Sequence, residues 1–316
     1  MAQTRLRLGV SACLLGRAVR YDGGHRRNDF IADTLGGWVD FVEVCPEVEL
    51  GLGVPRPTLH LAGTPSSPRM VVTATGEDLS DRMRRFSSRR VRGLEDLDGY
   101  ILKRNSPSCG PVGVPVFKSA GGSPRPMGRG LFAEALAARY PLLPIVDESH
   151  LQDRAAREHF IERIFAFHRL RRLCASTPTA KDLVAFHTAH KMTLFAHHPA
   201  KARELGRLVA KLHRAPSRAV LDTYAAMFMT ALGRMPTRRQ HVDVLQHLQG
   251  HLKHVLDAGD RTELMEAIDA YRNEQVPLLV PLTLLRHHIR RHPVDWIAQQ
   301  TYLHPDPAEL ALRQRA

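Results

Sequence analysis

Leu6-Arg7-Leu8-Gly9-Val10-Ser11-Ala12, with Cys13 directly after it, is a short apolar run that ends on a cysteine-bearing turn. A run of this length, closed by turn residues, reads as a buried strand over residues 6–12. The pattern recurs. Residues 41–45 end on Cys45, residues 100–103 lead into Asn105-Ser106-Pro107-Ser108-Cys109-Gly110, and residues 142–146 form a fourth run. Between them, residues 29–35, 80–97 and 128–140 carry helical spacing, as in Leu131, Phe132, Ala135, Leu136 and Ala138. Residues 58–62 and 69–75 read as a hairpin or an inserted pair. Strands alternating with helices imply an α/β domain, Rossmann-like, with a mostly parallel sheet.

The chain changes character near residue 150. The first half is punctuated by Gly and Pro; from Leu151 onward apolar residues recur every three or four positions, as in Leu245, Leu248, Leu252 and Val255. Prolines at 178, 199, 216, 236, 277 and 281 divide this half into several helices. The expected organisation is an α/β domain over 1–150 and a basic all-α helical domain over 151–316, with 150–180 as the linking segment. The 316 residues suit two domains.

The formal charge of +13 is high for this length, and about +9 of it falls after residue 150, together with most of the 18 histidines. A field of that sign favours nucleic acid or another polyanion. No apolar run approaches the roughly 20 residues of a membrane span, and the N-terminus lacks a signal-peptide core, so the expected compartment is the cytoplasm. No membrane partner and no obligate protein partner is expected. Four cysteines are too few for a disulfide scaffold; in a reducing compartment they serve as thiols, ligands or nucleophiles.

Cys13, Cys45 and Cys109 each follow a predicted strand. Loops at the C-terminal ends of parallel strands share one edge of the sheet, where ligands bind. The three cysteines, distant in sequence, are therefore expected to meet. Their flanks are rich in Gly and Pro and carry Arg20, Tyr21, Asp22, Glu47, Ser106 and Ser108. Three thiolates suit an iron–sulfur cluster or a catalytic zinc with water as fourth ligand. A cysteine nucleophile and three unrelated buried thiols are the other readings; the lack of a CxxC pair argues against a zinc ribbon. Cys174, in a helical Arg-rich setting, reads as incidental.

Taken together, Val10-Ser11-Ala12-Cys13-Leu14-Leu15-Gly16, Val19-Arg20-Tyr21-Asp22-Gly23, Cys45-Pro46-Glu47, Gly51-Leu52-Gly53-Val54-Pro55-Arg56-Pro57 and Ser106-Pro107-Ser108-Cys109-Gly110 resemble the thiouracil desulfidase family over about residues 5–150. The helical half, marked by Phe186-His187-Thr188-Ala189-His190-Lys191, resembles a domain often fused behind it, and the fused arrangement resembles the tRNA thiouridine desulfidases. The resemblance implies a 4Fe–4S cluster held by Cys13, Cys45 and Cys109 with one iron open, and functional roles for Glu47 and Ser106. On that expectation the open iron takes the thiocarbonyl sulfur and Glu47 activates water. Ser106 relays a proton or binds the base, and Asp22 is a further candidate for proton transfer. The implied substrate is tRNA carrying 4-thiouridine or 2-thiouridine, converted to uridine with release of hydrosulfide.

Lys191, Lys201, Arg203, Arg207, Lys211, Arg214, Arg238 and Arg239 are candidate phosphate contacts. Two alternatives stand beside this reading: a desulfidase of free thiouracil, and a non-enzymatic iron–sulfur sensor that binds RNA. The histidine pair His187 and His190 and the set His247, His251 and His254 lack the acidic partners of a helical zinc site, and read as packing, surface or RNA contacts.

Overall fold

The computed structural model describes residues 5–118 and 125–314. The chain forms two compact units, one of residues 1–168 with 311–316, the other Arg169–Leu310.

The described strands of the first unit are β1 (Leu6–Ser11), β2 (Val39–Val44), β3 (Leu59–Thr64), β4 (Ser67–Val72), β5 (Gly99–Leu102), β6 (Val114–Phe117), β7 (Arg125–Gly128) and β8 (Ile145–Asp147). The expected parallel sheet is present, in the order β2-β1-β5-β8, with every pairing parallel. In β1, five of six residues are buried; this near-continuous apolar pattern belongs to a strand covered on both faces. Leu8 and Val10 are fully enclosed, each stabilising the fold by about 1.5–3 kcal/mol. Gly9 lies opposite Tyr100 of β5, and a Cβ there would sit 2.2 Å from the tyrosine ring. The glycine makes room for a wholly buried aromatic.

The pair read as a hairpin is one: β3 and β4 run antiparallel. It belongs to a second sheet, β4-β3-β6-β7, in which β3 and β6 are parallel. The strands β6 and β7 were not expected. Each is four residues long and contains a proline, Pro115 or Pro126, which removes a ladder donor and reads as loop. The helices are α1 (Pro46–Glu49), α2 (Ser80–Arg90) and α3 (Leu131–Arg139). The segment read as one helix over 80–97 stops at Arg90, and a 3₁₀ turn at Val91–Leu94 follows. Residues Phe30–Leu35 form a π-helix, closed by Gly36 N–H on Ile31 O at 3.2 Å.

From β8 the chain passes through a 3₁₀ turn, His150–Gln152, into the 22-residue α4 (Arg154–Ala175), so the segment expected to link the domains is largely helical. The rest is all-α, as expected: α5 (Ala180–His197), α6 (Pro199–Ala210), α7 (Arg218–Leu232), α8 (Arg238–Leu252), α9 (Ala258–Arg272), α10 (Leu279–Arg291), α11 (Asp295–Ala298) and α12 (Pro307–Gln314). Capping boxes open α5 (Thr179 with Asp182) and α8 (Thr237 with Gln240), and Ser217 and Asp257 cap α7 and α9. Leu245, Leu248 and Leu252 of α8 meet Leu264, Ile268, Leu285 and Ile289 in the principal core of this unit.

A side chain interrupts α5. Gln300 Oε1 accepts from Met192 N–H at 3.0 Å, and Gln300 Nε2 donates to Thr188 O at 2.6 Å. These two backbone groups would otherwise bond each other, so the amide stands inside the helical ladder. Among the described residues no helix is long and apolar enough to cross a membrane.

Candidate active site

The C-terminal ends of β1, β2 and β5 open onto one cavity of about 350 Å³. Its lining includes Cys13 from the 3₁₀ turn after β1, Cys45 from the start of α1 after β2, and Cys109 from the loop after β5. β1 is the central strand, with β2 on one side and β5 on the other, so the cavity occupies the switch point of the sheet.

Glu47 is the second residue of α1 and reaches into the cavity. Its Oε2 accepts from Arg56 Nε at 2.8 Å and Nη2 at 2.6 Å. Both side chains are enclosed, at 13% and 4% exposure, so this pair is shielded from solvent screening. Arg56 Nη1 also donates to Val19 O and Gly53 O, both at 3.0 Å, tying together the loops after β1 and β2. The other oxygen of Glu47 accepts from Ser108 Oγ. Ser108 Oγ lies 3.1 Å from Ser106 Oγ, which accepts from the backbone N–H of Cys109 at 3.1 Å and of Ser108 at 3.3 Å. The one hydroxyl proton of Ser108 is committed to Glu47, so Ser106 donates to Ser108. The result is a directed chain, Ser106 to Ser108 to Glu47.

The serine loop is held by α3. The amides at the start of that helix donate to loop carbonyls: Leu131 N–H to Pro107 O at 3.1 Å, Phe132 N–H to Ser108 O at 3.0 Å and Ala133 N–H to Ser108 O at 3.1 Å. Donors that a helix start leaves free thus fix the residues that face the cavity. Gly130 permits the approach; a Cβ there would lie 2.4 Å from Ser108 O and 2.5 Å from its carbonyl carbon.

Burial raises the pKa of all three thiols. Cys13 is pushed up to about 11, by burial first and then by Cys45, against Lys103 and Arg20. Burial also raises Cys45 and Cys109, with Glu47 adding to both; backbone N–H groups of α1 oppose the shift at Cys45, and the Ser11 hydroxyl opposes it at Cys109. Cations dominate the remaining wall: Arg20, Arg26, Lys103 and Arg104. Lys103 pairs with Glu148.

The expected 4Fe–4S cluster on Cys13, Cys45 and Cys109 does not fit this arrangement. Among the described residues, no group of three or more His, Cys, Asp or Glu is placed to hold a metal ion. The sulfurs share a cavity without converging on one point. Cys45 Sγ faces Val19 O at 3.8 Å, and Cys109 is set against Ser11. The same finding removes the open-iron step and the zinc alternative from the chemistry of this cavity.

Glu47 and Ser106 line the cavity; Asp22 does not. Asp22 Oδ1 accepts from Gly24 N–H at 3.0 Å and lies 3.6 Å from Arg20 Nε; the Gly24 amide, ahead of Arg20, lowers its pKa. Cys174 sits at the end of α4, outside this lining. Of two residues at the heart of the site, Arg56 carries no role in the sequence reading, and Ser108 enters it only as a loop polar group that could act on a substrate. Both lie inside the motifs quoted above, which is the signal that points to them.

Comparison with known proteins matches two families. The profile described as 2-thiouracil desulfurase matches residues 8–148, and that described as a protein of unknown function, DUF1722, matches residues 191–307. The uncharacterized protein YbgA of Escherichia coli (strain K12) is 33% identical over 155 residues, 48% of this chain and 90% of that protein. The uncharacterized protein YbbK of Bacillus subtilis (strain 168) is 31% identical over 108 residues, 32% of this chain and 71% of that one. The solved structure of the [4Fe-4S]-dependent thiouracil desulfidase TudS is 31% identical, covering 47% of this chain and 94% of that one, with a TM-score of 0.38. The chain therefore belongs to the 2-thiouracil desulfurase family through residues 8–148, joined to a distinct DUF1722 domain over residues 191–307.

Proposed function

We propose that the chain removes sulfur from a free thiolated pyrimidine, thiouracil, and replaces it with the oxygen of water. One observation carries this reading: the chain Ser106–Ser108–Glu47 ends in a cavity of about 350 Å³, at the small end of ligand pockets and suited to a single heterocycle. Water adds to the thiocarbonyl carbon, and its proton passes to Glu47 directly or through the serines. Arg56, with two hydrogen bonds to one oxygen, keeps the carboxylate aimed. Negative charge grows on sulfur as the carbon becomes tetrahedral, and Arg20 and Lys103 line the space in which it grows. Collapse restores a carbonyl and expels hydrosulfide. One water is consumed, one sulfide leaves, and no electrons are exchanged. The three thiols present polarizable, weakly donating groups to the sulfur.

Protein purified anaerobically and incubated with thiouracil tests the reading by detection of hydrosulfide and uracil. Absence of both, with thiolated tRNA also unchanged, overturns it.

The charge of the helical half favours a second reading, in which the thiolated uridine belongs to tRNA in the cytoplasm. A basic domain over 151–316 would hold phosphates while the α/β domain over 1–150 acts on a base drawn out of its stack. Faster turnover of thiolated tRNA than of thiouracil, with a steep fall on added salt, selects this reading.

A further inference from the structure

The helical unit contains a cavity that the desulfidase chemistry does not use. It measures about 290 Å³ and is walled by three helices, with Lys191, Met192 and Phe195 from α5, Pro199 and Arg203 from α6, and Asp243, Val244 and His247 from α8. Its floor is apolar: Met192 and Val244 are buried, and Phe195 is packed against the core. Its rim is charged. Lys191 Nζ sits 5.5 Å from the centroid of the Trp296 ring, and the Arg203 guanidinium 5.6 Å from that of Phe195.

Neither cation takes part in an ion pair among the described residues, although Arg and Lys elsewhere on these helices do, as Lys201 with Glu204 and Arg238 with Glu274. Two cations poised on aromatic faces over a greasy floor leave a place for an anion with a flat apolar body. The polar remainder is specific as well. Asp243 offers acceptors to an N–H or hydroxyl. His247, kept uncharged at neutral pH by burial and then by His251 and Lys191, offers one donor and one acceptor.

We propose that this cavity, between α5, α6 and α8, binds a nucleoside monophosphate unit. The phosphate lies between Lys191 and Arg203, the base rests on Phe195, Met192 and Val244, and Asp243 and His247 take polar groups of the base or ribose. The unit comes from a free nucleotide or from one residue of a polynucleotide. A neighbouring cavity shares Asp243 and adds Arg239, where a strand would continue. The inference does not rest on the desulfidase reading.

The test uses the full chain carrying Trp38→Phe, which leaves Trp296, beside Lys191, as the sole tryptophan. Its fluorescence is titrated with the common ribonucleoside 5′-monophosphates, the parent nucleosides, inorganic phosphate and a single-stranded oligouridylate. At least one monophosphate is expected to saturate, with its nucleoside and phosphate weaker by at least about tenfold. Lys191→Ala and Arg203→Ala are each expected to weaken binding by about tenfold with unchanged thermal melting, while Lys181→Ala, at the exposed start of α5 and outside the lining, leaves it intact. Equal affinity for monophosphate and oligouridylate assigns a free nucleotide. Much tighter oligouridylate binding, lost in the same two variants, assigns a polynucleotide residue. The proposal is overturned if no monophosphate binds, if phosphate alone binds as well, or if both variants bind like the parent.

Discussion

Arg56 grips one oxygen of Glu47 with two nitrogens, at 2.8 and 2.6 Å, and leaves the other oxygen to Ser108. The carboxylate is thus fixed from one side and connected to a proton path on the other. Glu47→Gln keeps the size and loses the base; hydrosulfide release should fall by about 10²–10⁴-fold. Arg56→Met instead leaves a buried carboxylate without its partner, which costs about 3–5 kcal/mol of stability in urea unfolding as well as activity. Arg56→Met protein as stable as the parent would remove the argument for a shielded pair.

The two serines should separate in their effects. Ser108→Ala breaks the path at its middle and strips a hydrogen bond from Glu47, so kcat should drop by about 10²-fold or more with a stability loss of about 1–3 kcal/mol. Ser106→Ala leaves the Ser108–Glu47 contact in place but frees the amides of Ser108 and Cys109. Its kcat should fall less. A larger effect at Ser106 than at Ser108, in sulfide-release kinetics, would reverse the order of the relay.

Gly130→Ala should act at a distance from the cavity. The added methyl meets the carbonyl of Ser108 at 2.4 Å, and both the loop and the start of α3 are backbone with little room to give. Calorimetry should show a loss of about 1–3 kcal/mol, and kcat should fall because Ser108 is displaced. An unchanged melting temperature with full activity would mean the loop is not braced by α3.

The helical unit should weaken in acid. Burial, with Lys191 adding to it, lowers the His187 pKa from 6.5 to about 4, and the ring contacts the Tyr224 hydroxyl at 3.2 Å. Because the folded value is the lower one, the unfolded chain binds the proton first. The stability this neutral ring supports is complete above pH 6.5 and is lost as pH falls towards 4, by about 3 kcal/mol in all. Urea unfolding at pH 7.5 and 4.5 measures the difference. His187→Asn should flatten that slope; an unaltered slope would place the titration elsewhere.

The strands that carry the site were legible because they are buried on both faces. Leu8 and Val10 in β1 and Tyr100 and Ile101 in β5 form apolar runs that no surface strand would show. From those runs alone, the cysteine loops could be placed at one edge of the sheet, and the structure lines one cavity with all three. Whether the sulfurs converge on a point depends on side-chain directions inside the loops, and strand order is silent on that. The cluster expectation, one reading of the three thiols that the resemblance then singled out, is corrected by this local geometry. Arg56 escaped notice because its partner lies nine residues away across a loop whose shape a periodicity cannot convey. Ser106 stood out in its motif, yet it is Ser108 that touches Glu47. The second sheet was half legible: the β3–β4 hairpin alternates visibly, while Pro115 and Pro126 disguise β6 and β7.

Gln300 supplies to α5 a connection that the helix does not make for itself, from 108 residues further along the chain. As the protein emerges from the ribosome, Thr188 O and Met192 N–H are free to bond each other as any helical rung does, so residues 180–197 first coil without the amide. That rung opens to admit the amide when position 300 arrives, so this unit reaches its final form late in synthesis. A chain released before residue 300 would carry α5 as an uninterrupted helix, without the tie that joins it to the residues around position 300.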